Sequence, residues 1–319
     1  MKRLVLALAI LLSCVVAFSD ETPQRPHIMG IEEVKFFSSN FQASNAFYSP
    51  LLAMMQPPAT CKWCKTHPPQ AYAINGVQLI ALAPRPSPAP NNLLAEITFA
   101  TDDLSGLKRY LEFHKIAFTA LDYPEAGQPG KKPLSVTDPE GHRISFVEWK
   151  KGLAEMVPEY SERMDLIHAG FVVHDRAAED TFYRDLLGFH VYWHGGMKDG
   201  TDDWVDMQVP DGTDWIEYML NVPDDAGHRT LGIMNHMAVG VRDIHKAYAE
   251  IIARGVKPTE QPKIGRDGKW QMNLYDPDDT RVEFMERTPT NQPCCSSYQG
   301  PHPGSQSGTQ TKPAAQPNP

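Results

Sequence analysis

The sequence predicts an α+β fold made of repeated strand–helix–strand units, and three observations carry that expectation. The chain resembles itself. Val136-Thr137-Asp138-Pro139 with Ile144-Ser145-Phe146 matches Leu274-Tyr275-Asp276-Pro277 with Val282-Glu283-Phe284 at an offset of 138 residues. Phe47-Tyr48 with Leu51-Leu52 matches Phe182-Tyr183 with Leu186-Leu187 at an offset of 135. Within residues 164–288 one order of hydrophobic periodicities then occurs twice, short β-type runs around a single helical stretch. Finally, His168, Glu217, His236 and Glu283 recur as His…Glu, His…Glu, separated by 49, 19 and 47 residues.

The elements follow in order. The apolar run from Leu166 to Val173 reads as a strand carrying His168. Arg176–Leu187 has helical spacing and Gly188 is placed to stop it. Strands are expected at Phe189–Trp193, Trp204–Val209 and Trp215–Leu220. The order restarts with a strand opened by His236, a helix over Ile244–Ala253 closed by Gly255, and strands at Gln271–Tyr275 and Arg281–Met285. Residues 28–150 and 164–288 are expected to be two copies of one domain, joined around 150–163. Each strand–helix–strand unit is too small to bury its sheet alone, so units should pair around a shared concave face.

Before this region, Lys2-Arg3, an apolar run from Leu4 to Leu12 and Ala17-Phe18-Ser19 form a secretory signal rather than a membrane span, which needs about 20 apolar residues. Export to the periplasm or the extracellular space is expected, with cleavage after Ser19 or, alternatively, lipoprotein processing at Cys14. Removing residues 1–19 leaves 28 basic and 39 acidic residues, a net charge of −11. Such a chain repels nucleic acid and anionic lipid, and no later segment is apolar enough to span a bilayer. Four cysteines remain as disulfide candidates, Cys61, Cys64, Cys294 and Cys295. Cys61-Lys62-Trp63-Cys64, with His67 nearby, also leaves open a small zinc or redox site. Cys294-Cys295 stands where it could tie the tail to Cys61 and Cys64. Residues 289–319 are rich in Pro, Gln, Ser and Gly, and disorder is expected there.

Two imidazoles and two carboxylates, each on an alternating strand, make a plausible divalent-metal cage. That donor set suits Zn, Ni, Co or Fe better than Ca or Mg. Alternation puts Trp215 and Met219 on Glu217's face and Arg281 on Glu283's face, with Gln271 and Asn273 also directed inward. These five are the candidate substrate-binding residues. Glu283 and Glu217 are the candidate catalytic groups, able to take a proton from carbon beside a polarised carbonyl. His174, His190 and His194 read as surface or loop residues.

A paired βαβββ unit with His on its first strand, Glu on its last and an Asp-Pro turn before that last strand resembles the vicinal oxygen chelate (VOC) superfamily. Glyoxalase I, extradiol dioxygenases and the bleomycin resistance proteins belong to it. The resemblance implies four βαβββ modules forming two tandem glyoxalase-like domains with cup-shaped mixed sheets. It also implies one divalent metal ion held by His168, Glu217, His236 and Glu283, and a small oxygen-chelating substrate. Aligning the halves sets Glu33 against His168, Glu96 against His236, Ser145 against Glu283 and a residue near Gln78 against Glu217, so metal is expected only in the C-terminal copy. Three functions stay open: a glyoxalase-like lyase or isomerase, a ring-cleaving dioxygenase using His168, His236 and Glu283, and a non-catalytic binding protein. Because some relatives share sites between chains, a homodimer also stays open.

Overall fold

The computed structural model describes residues 22–52, 71–121, 132–149 and 164–303. The signal segment, Cys14, Cys61, Cys64, His67 and the tail beyond 303 lie outside the described residues. Two mixed sheets follow one another along the chain. The first contains β1 (Ile28–Ser38), β2 (Ala71–Ala73), β3 (Leu79–Pro84), β4 (Leu94–Thr101), β5 (Thr119–Ala120), β6 (Leu134–Thr137) and β7 (Arg143–Glu148). The second contains β8 (Asp165–Val172), β9 (His190–Gly195), β10 (Trp204–Gln208), β11 (Trp215–Met219), β12 (His236–Val241), β13 (Lys263–Ile264), β14 (Trp270–Tyr275) and β15 (Arg281–Glu286). Their strand orders are β2-β3-β1-β4-β7-β6-β5 and β13-β14-β15-β12-β8-β11-β10-β9.

In every unit the first and last strands pair in parallel: β1 with β3, β4 with β7, β8 with β11 and β12 with β15. The units of each sheet meet through antiparallel pairs, β1 with β4 and β8 with β12. Among the described residues, each crossover contains one helical segment. Asp103 caps Leu104–Phe113 by accepting from the Gly106 backbone N–H, and Asp243 caps Ile244–Ala253 by accepting from His245 and Lys246; such a cap contributes about 1 kcal/mol. Gly188 and Gly255 end their helices at φ +80° and +88°, where a side chain would be strained.

The predicted helix over Arg176–Leu187 is not uniform. It begins as α-helix over Arg176–Asp180 and continues as a π turn over Thr181–Leu186, with Leu187 N bonded to Phe182 O. The wider turn brings the adjacent Phe182 and Tyr183 both into the core. A short helix over His228–Met234, without apolar periodicity of its own, leads directly into His236.

One hydrophobic core joins the sheets, with Phe99 of the first half edge-on to Phe189 of the second at 5.4 Å. Polar links reinforce it: Gln78 bonds both the N–H and the C=O of Leu166, and Asp214 accepts from the Ile31 backbone N–H at 2.8 Å.

The expectation of disorder from Pro289 onward is corrected for residues 289–303. Composition favours a solvated chain there, but aromatic anchors offset it. The Tyr298 ring lies 4.7 Å from Tyr192 and its hydroxyl donates to Asp267 O, while Gln299 N donates to Tyr192 O. The same segment pairs Cys294 with Cys295, so neither is left to tie the tail to another cysteine. It is anchored instead by Trp193 Nε1, which donates to Cys294 O.

Candidate metal centre

His168, Glu217, His236 and Glu283 meet on the concave face of the second sheet, all from one chain. Strand register explains this. Glu217 on β11 pairs with Gly170 on β8, which pairs with His236 on β12; His168 pairs with Ala238, and Ala238 with Glu283 on β15. Registered partners share a face, so four strands aim one donor each at the same point. The two Nε2 atoms lie 3.1 Å apart, and Glu217 Oε2 is 3.2 Å from His236 Nε2 and 3.9 Å from His168 Nε2. Glu283 Oε2 lies 3.7 Å from both imidazoles. Ligands about 2.0–2.2 Å from a tetrahedral ion stand roughly 3.3–3.6 Å apart, and these five separations bracket that edge; donor atoms of His168, Glu217 and His236 all lie within 4.8 Å of one another, a group that leaves out Glu283.

Gly170 makes the site possible and was not singled out by sequence. A Cβ there would lie 2.0 Å from His236 Cε1, so any side chain would evict the imidazole.

Burial holds both histidines well below the usual imidazole pKa, helped for His236 by the Arg281 guanidinium, so both are neutral with lone pairs to offer. His236 Nδ1 donates to Met234 O at 3.0 Å, which assigns the lone pair to Nε2, inside the cage. Arg281 Nη2 now donates to that nitrogen at 2.6 Å. Burial pushes Glu283 up to about 8, against the lowering influence of Arg281. The cage thus gathers two neutral nitrogens and two carboxyls around a point where only one guanidinium N–H reaches in. The donors fit a divalent cation.

Of the candidate substrate-binding residues, Trp215 lies with its ring 4.9 Å from His168, and Arg281 is inside the cage. Asn273 is paired with Glu283 across β14 and β15 and donates to Glu260, leaving its Oδ1 without a partner among the described residues. Gln271 follows on the same strand, opposite Met285. Met219, on the same face of its strand as Glu217, packs with Val172 and Val222. His194 and His174 are partly exposed and bonded to Asp202 and Glu140.

Sequence reading missed a second layer. Asp206 is buried opposite Glu217, with Oδ1 unpartnered among the described residues. Lys269 has no exposed surface, and its Nζ has no hydrogen-bond partner there either. The ammonium lies over the rings of Trp215 at 4.3 Å and of Tyr192 and Tyr298 at 5.0 Å. A lone lysine before a strand carries no sequence signal of such a cage.

The first sheet arranges its equivalents differently. Register sets Glu33 against His168, Lys35 against Gly170, Glu96 against His236 and Ser145 against Glu283. Ala81 pairs with Lys35 as Glu217 pairs with Gly170, so Ala81, not a residue at Gln78, stands opposite Glu217. Gln78 precedes the strand and serves the junction of the halves. Lys35 Nζ lies 2.8 Å from Glu33 and 3.0 Å from Glu96, and Ser145 Oγ also donates to Glu96.

No curated protein matches the sequence significantly. Among solved structures, homoprotocatechuate 2,3-dioxygenase from Brevibacterium fuscum, in complex with 3,4-dihydroxyphenylacetate, aligns at TM-score 0.56 and 15% identity over 86% of each chain. The 2,3-dioxygenase LapB from Pseudomonas sp. KL28 aligns at TM-score 0.57 and 14% identity over 85% of this chain and 98% of LapB. A catechol 2,3-dioxygenase aligns at TM-score 0.55 and 15% identity over 87% of this chain and 95% of that one. At these identities the likeness establishes the tandem VOC fold. The family model for the Glyoxalase/Bleomycin resistance protein/Dioxygenase superfamily matches residues 165–284, all four cage donors included, and that segment is a domain of this superfamily.

Proposed function

We propose that the chain is a divalent-metal-dependent enzyme, a glyoxalase-like lyase or isomerase acting on a small substrate that chelates through adjacent oxygens. The observation that carries the reading is the fourth donor: Glu217 reaches the imidazole pair as closely as Glu283 does. When bound, the ion would act as a Lewis acid on a carbonyl or enolate oxygen. The protein's own groups do the rest. Glu283, buried and with an affinity for protons near neutrality, takes a proton from the carbon beside the carbonyl and returns it to the neighbouring atom. Trp215 walls the cup and excludes water. Arg281, once its N–H leaves His236, is free to hold an oxygen of the substrate. Zn, Ni, Co and Fe all suit the donor set.

A second reading rests on architecture. The solved structures that this chain resembles over nearly their whole length are extradiol dioxygenases, and His168, His236 and Glu283 alone would supply two imidazoles and one carboxylate, with Glu217 dispensable.

Elemental analysis combined with Glu217→Ala separates the two. The lyase reading expects zinc, nickel or cobalt in the parent protein, no oxygen uptake with catechols, and weakened metal binding in the variant. A parent that contains iron, with a variant that keeps it and still consumes oxygen with a catechol, would overturn that reading. Export belongs to the same proposal. Amino-terminal sequencing of the mature protein should begin at Asp20, and an intact Met1 in the cytoplasmic fraction would refute it.

A further inference from the structure

The two halves are tied together at two matching corners. At each, an Asp-Pro turn of one half holds a tyrosine from the first helical segment of the other. Tyr48 OH donates to Asp276 Oδ2 at 3.0 Å, and Tyr183 OH donates to Asp138 Oδ2 at 3.0 Å. The corners share geometry but not composition. The offsets of 135 and 138 residues set Ser44 against Glu179 and Thr280 against His142. At the Tyr48 corner those two positions are uncharged, with Ser44 Oγ bonded to Ser38 Oγ at 2.8 Å. The Tyr183 corner carries a histidine and a second carboxylate instead.

That second carboxylate is incompletely matched. Glu179 has no exposed surface; its Oε1 accepts the Glu140 backbone N–H at 3.0 Å, while its Oε2 has no partner among the described residues. His142 Nδ1 lies 2.8 Å from Asp138 Oδ2, and one donor atom from each of Asp138, His142 and Glu179 lies within 4.8 Å of the others. A buried carboxylate oxygen without a donor is costly. An imidazole beside two carboxylates is a donor set that transition-metal ions accept, and two negative charges balance a divalent ion.

We propose that Asp138, His142 and Glu179 form a second metal site, for a zinc-type divalent cation, that clips the Asp-Pro turn of the N-terminal half to the helix Arg176–Asp180 of the C-terminal half. The His142 nitrogen exchanges its hydrogen bond to Asp138 for the ion, Glu179 contributes the oxygen now unpartnered, and Asp138 supplies the third donor. Tyr183 continues to hold Asp138, as Tyr48 holds Asp276. The site is independent of the cage around His168 and His236, and its role is to hold the halves together.

The opposite corner supplies the control. A His142→Thr/Glu179→Ser double variant reproduces residues that the chain already accommodates around Asp276. Chelator-stripped protein is titrated with Zn²⁺ alone, and bound zinc is counted after desalting. Two equivalents are expected in the parent, one in the double variant and one in His236→Ala, with zinc raising the melting temperature of the parent more than that of the double variant. A parent and a double variant that bind the same number of ions overturn the proposal. In that case Glu179, pushed up to about 8 by burial and by Asp138, holds a proton instead. Loss of the single remaining equivalent in His236→Ala would do so too. A parent that binds one ion, lost in the double variant but kept in His236→Ala, would support this corner and sink the cage. Should the double variant fail to fold, Glu179→Gln keeps the shape of the side chain and is read in the same way.

Discussion

The two halves of this chain solve one electrostatic problem in opposite ways. In the C-terminal half, four strands aim donors at a point with no side chain of its own, because the central position is Gly170. In the N-terminal half the central position is Lys35, whose ammonium stands between Glu33 and Glu96. The scaffold and register are the same, but one cup carries its cation at the central position, whereas the other has Arg281 at its wall and a centre left for a recruited ion. The difference lies less in the loss of histidines than in the residue at the middle of the first strand. A cup with a glycine there has room for an imidazole and an ion, whereas a cup with a lysine has a covalently attached counter-charge that never leaves.

The sharpest way to break this contrast is to exchange the central residues. Gly170→Lys brings the N-terminal solution into the C-terminal cup. Since a Cβ alone meets the His236 ring, zinc affinity should fall by more than about 100-fold, as it should in His236→Ala, with loss of activity in both. Equilibrium dialysis would measure it, and near-normal affinity in Gly170→Lys would mean that His236 is not a ligand. The reverse change is smaller. Lys35→Met leaves Glu33 and Glu96 mostly buried beside one another, with Arg143 3.7 Å from Glu96. Unfolding free energy should drop by about 3 kcal/mol, read by urea denaturation, while the metal content of the C-terminal cup stays at the parent value. Full stability in Lys35→Met would show that the ammonium is not what holds the first cup together.

Much of this contrast was legible in the sequence, and its limits are physical. The strands of the second half and the convergence of His168, Glu217, His236 and Glu283 followed from period-two apolar runs interrupted by polar residues, because alternation fixes the face. The pairing of Glu33 with His168 and of Glu96 with His236 followed from repeat offsets. Register did not. The residue opposite Glu217 was located only as near Gln78 and is Ala81, since nothing in composition distinguishes a strand residue from the turn before it. Gly170 and Lys35 were invisible for a related reason: their meaning lies in what the neighbouring strand places opposite them. Lys269 and Asp206 face the cup across long sequence separations, and residues 289–303 disguise an aromatic anchor, Tyr298, in a composition typical of disorder.

The smallest expected effect concerns protons rather than ligands, and it tests whether the cations of the C-terminal cup, Arg281 and Lys269, leave Glu283 under-compensated. In metal-free protein Glu283 titrates at about 8, well above an ordinary glutamate, because burial outweighs the help of Arg281. A raised acid contributes stability that is complete below its unfolded value near 4.5 and is lost as pH rises through 8. His168 and His236 are shifted the other way, so their contribution is present above about 6.5 and is lost as the solution becomes more acid. Chelator-treated protein should therefore melt several degrees lower at pH 8.5 than at pH 6.5, and Glu283→Gln should lessen that alkaline limb, to which Glu179, also pushed up to about 8, contributes, while leaving the acid limb in place. Metal should lessen it as well, since an ion stabilises the carboxylate that burial opposes. If Glu283→Gln leaves the alkaline limb at its parent size, the uncompensated charge lies elsewhere and this reading of the C-terminal cup fails.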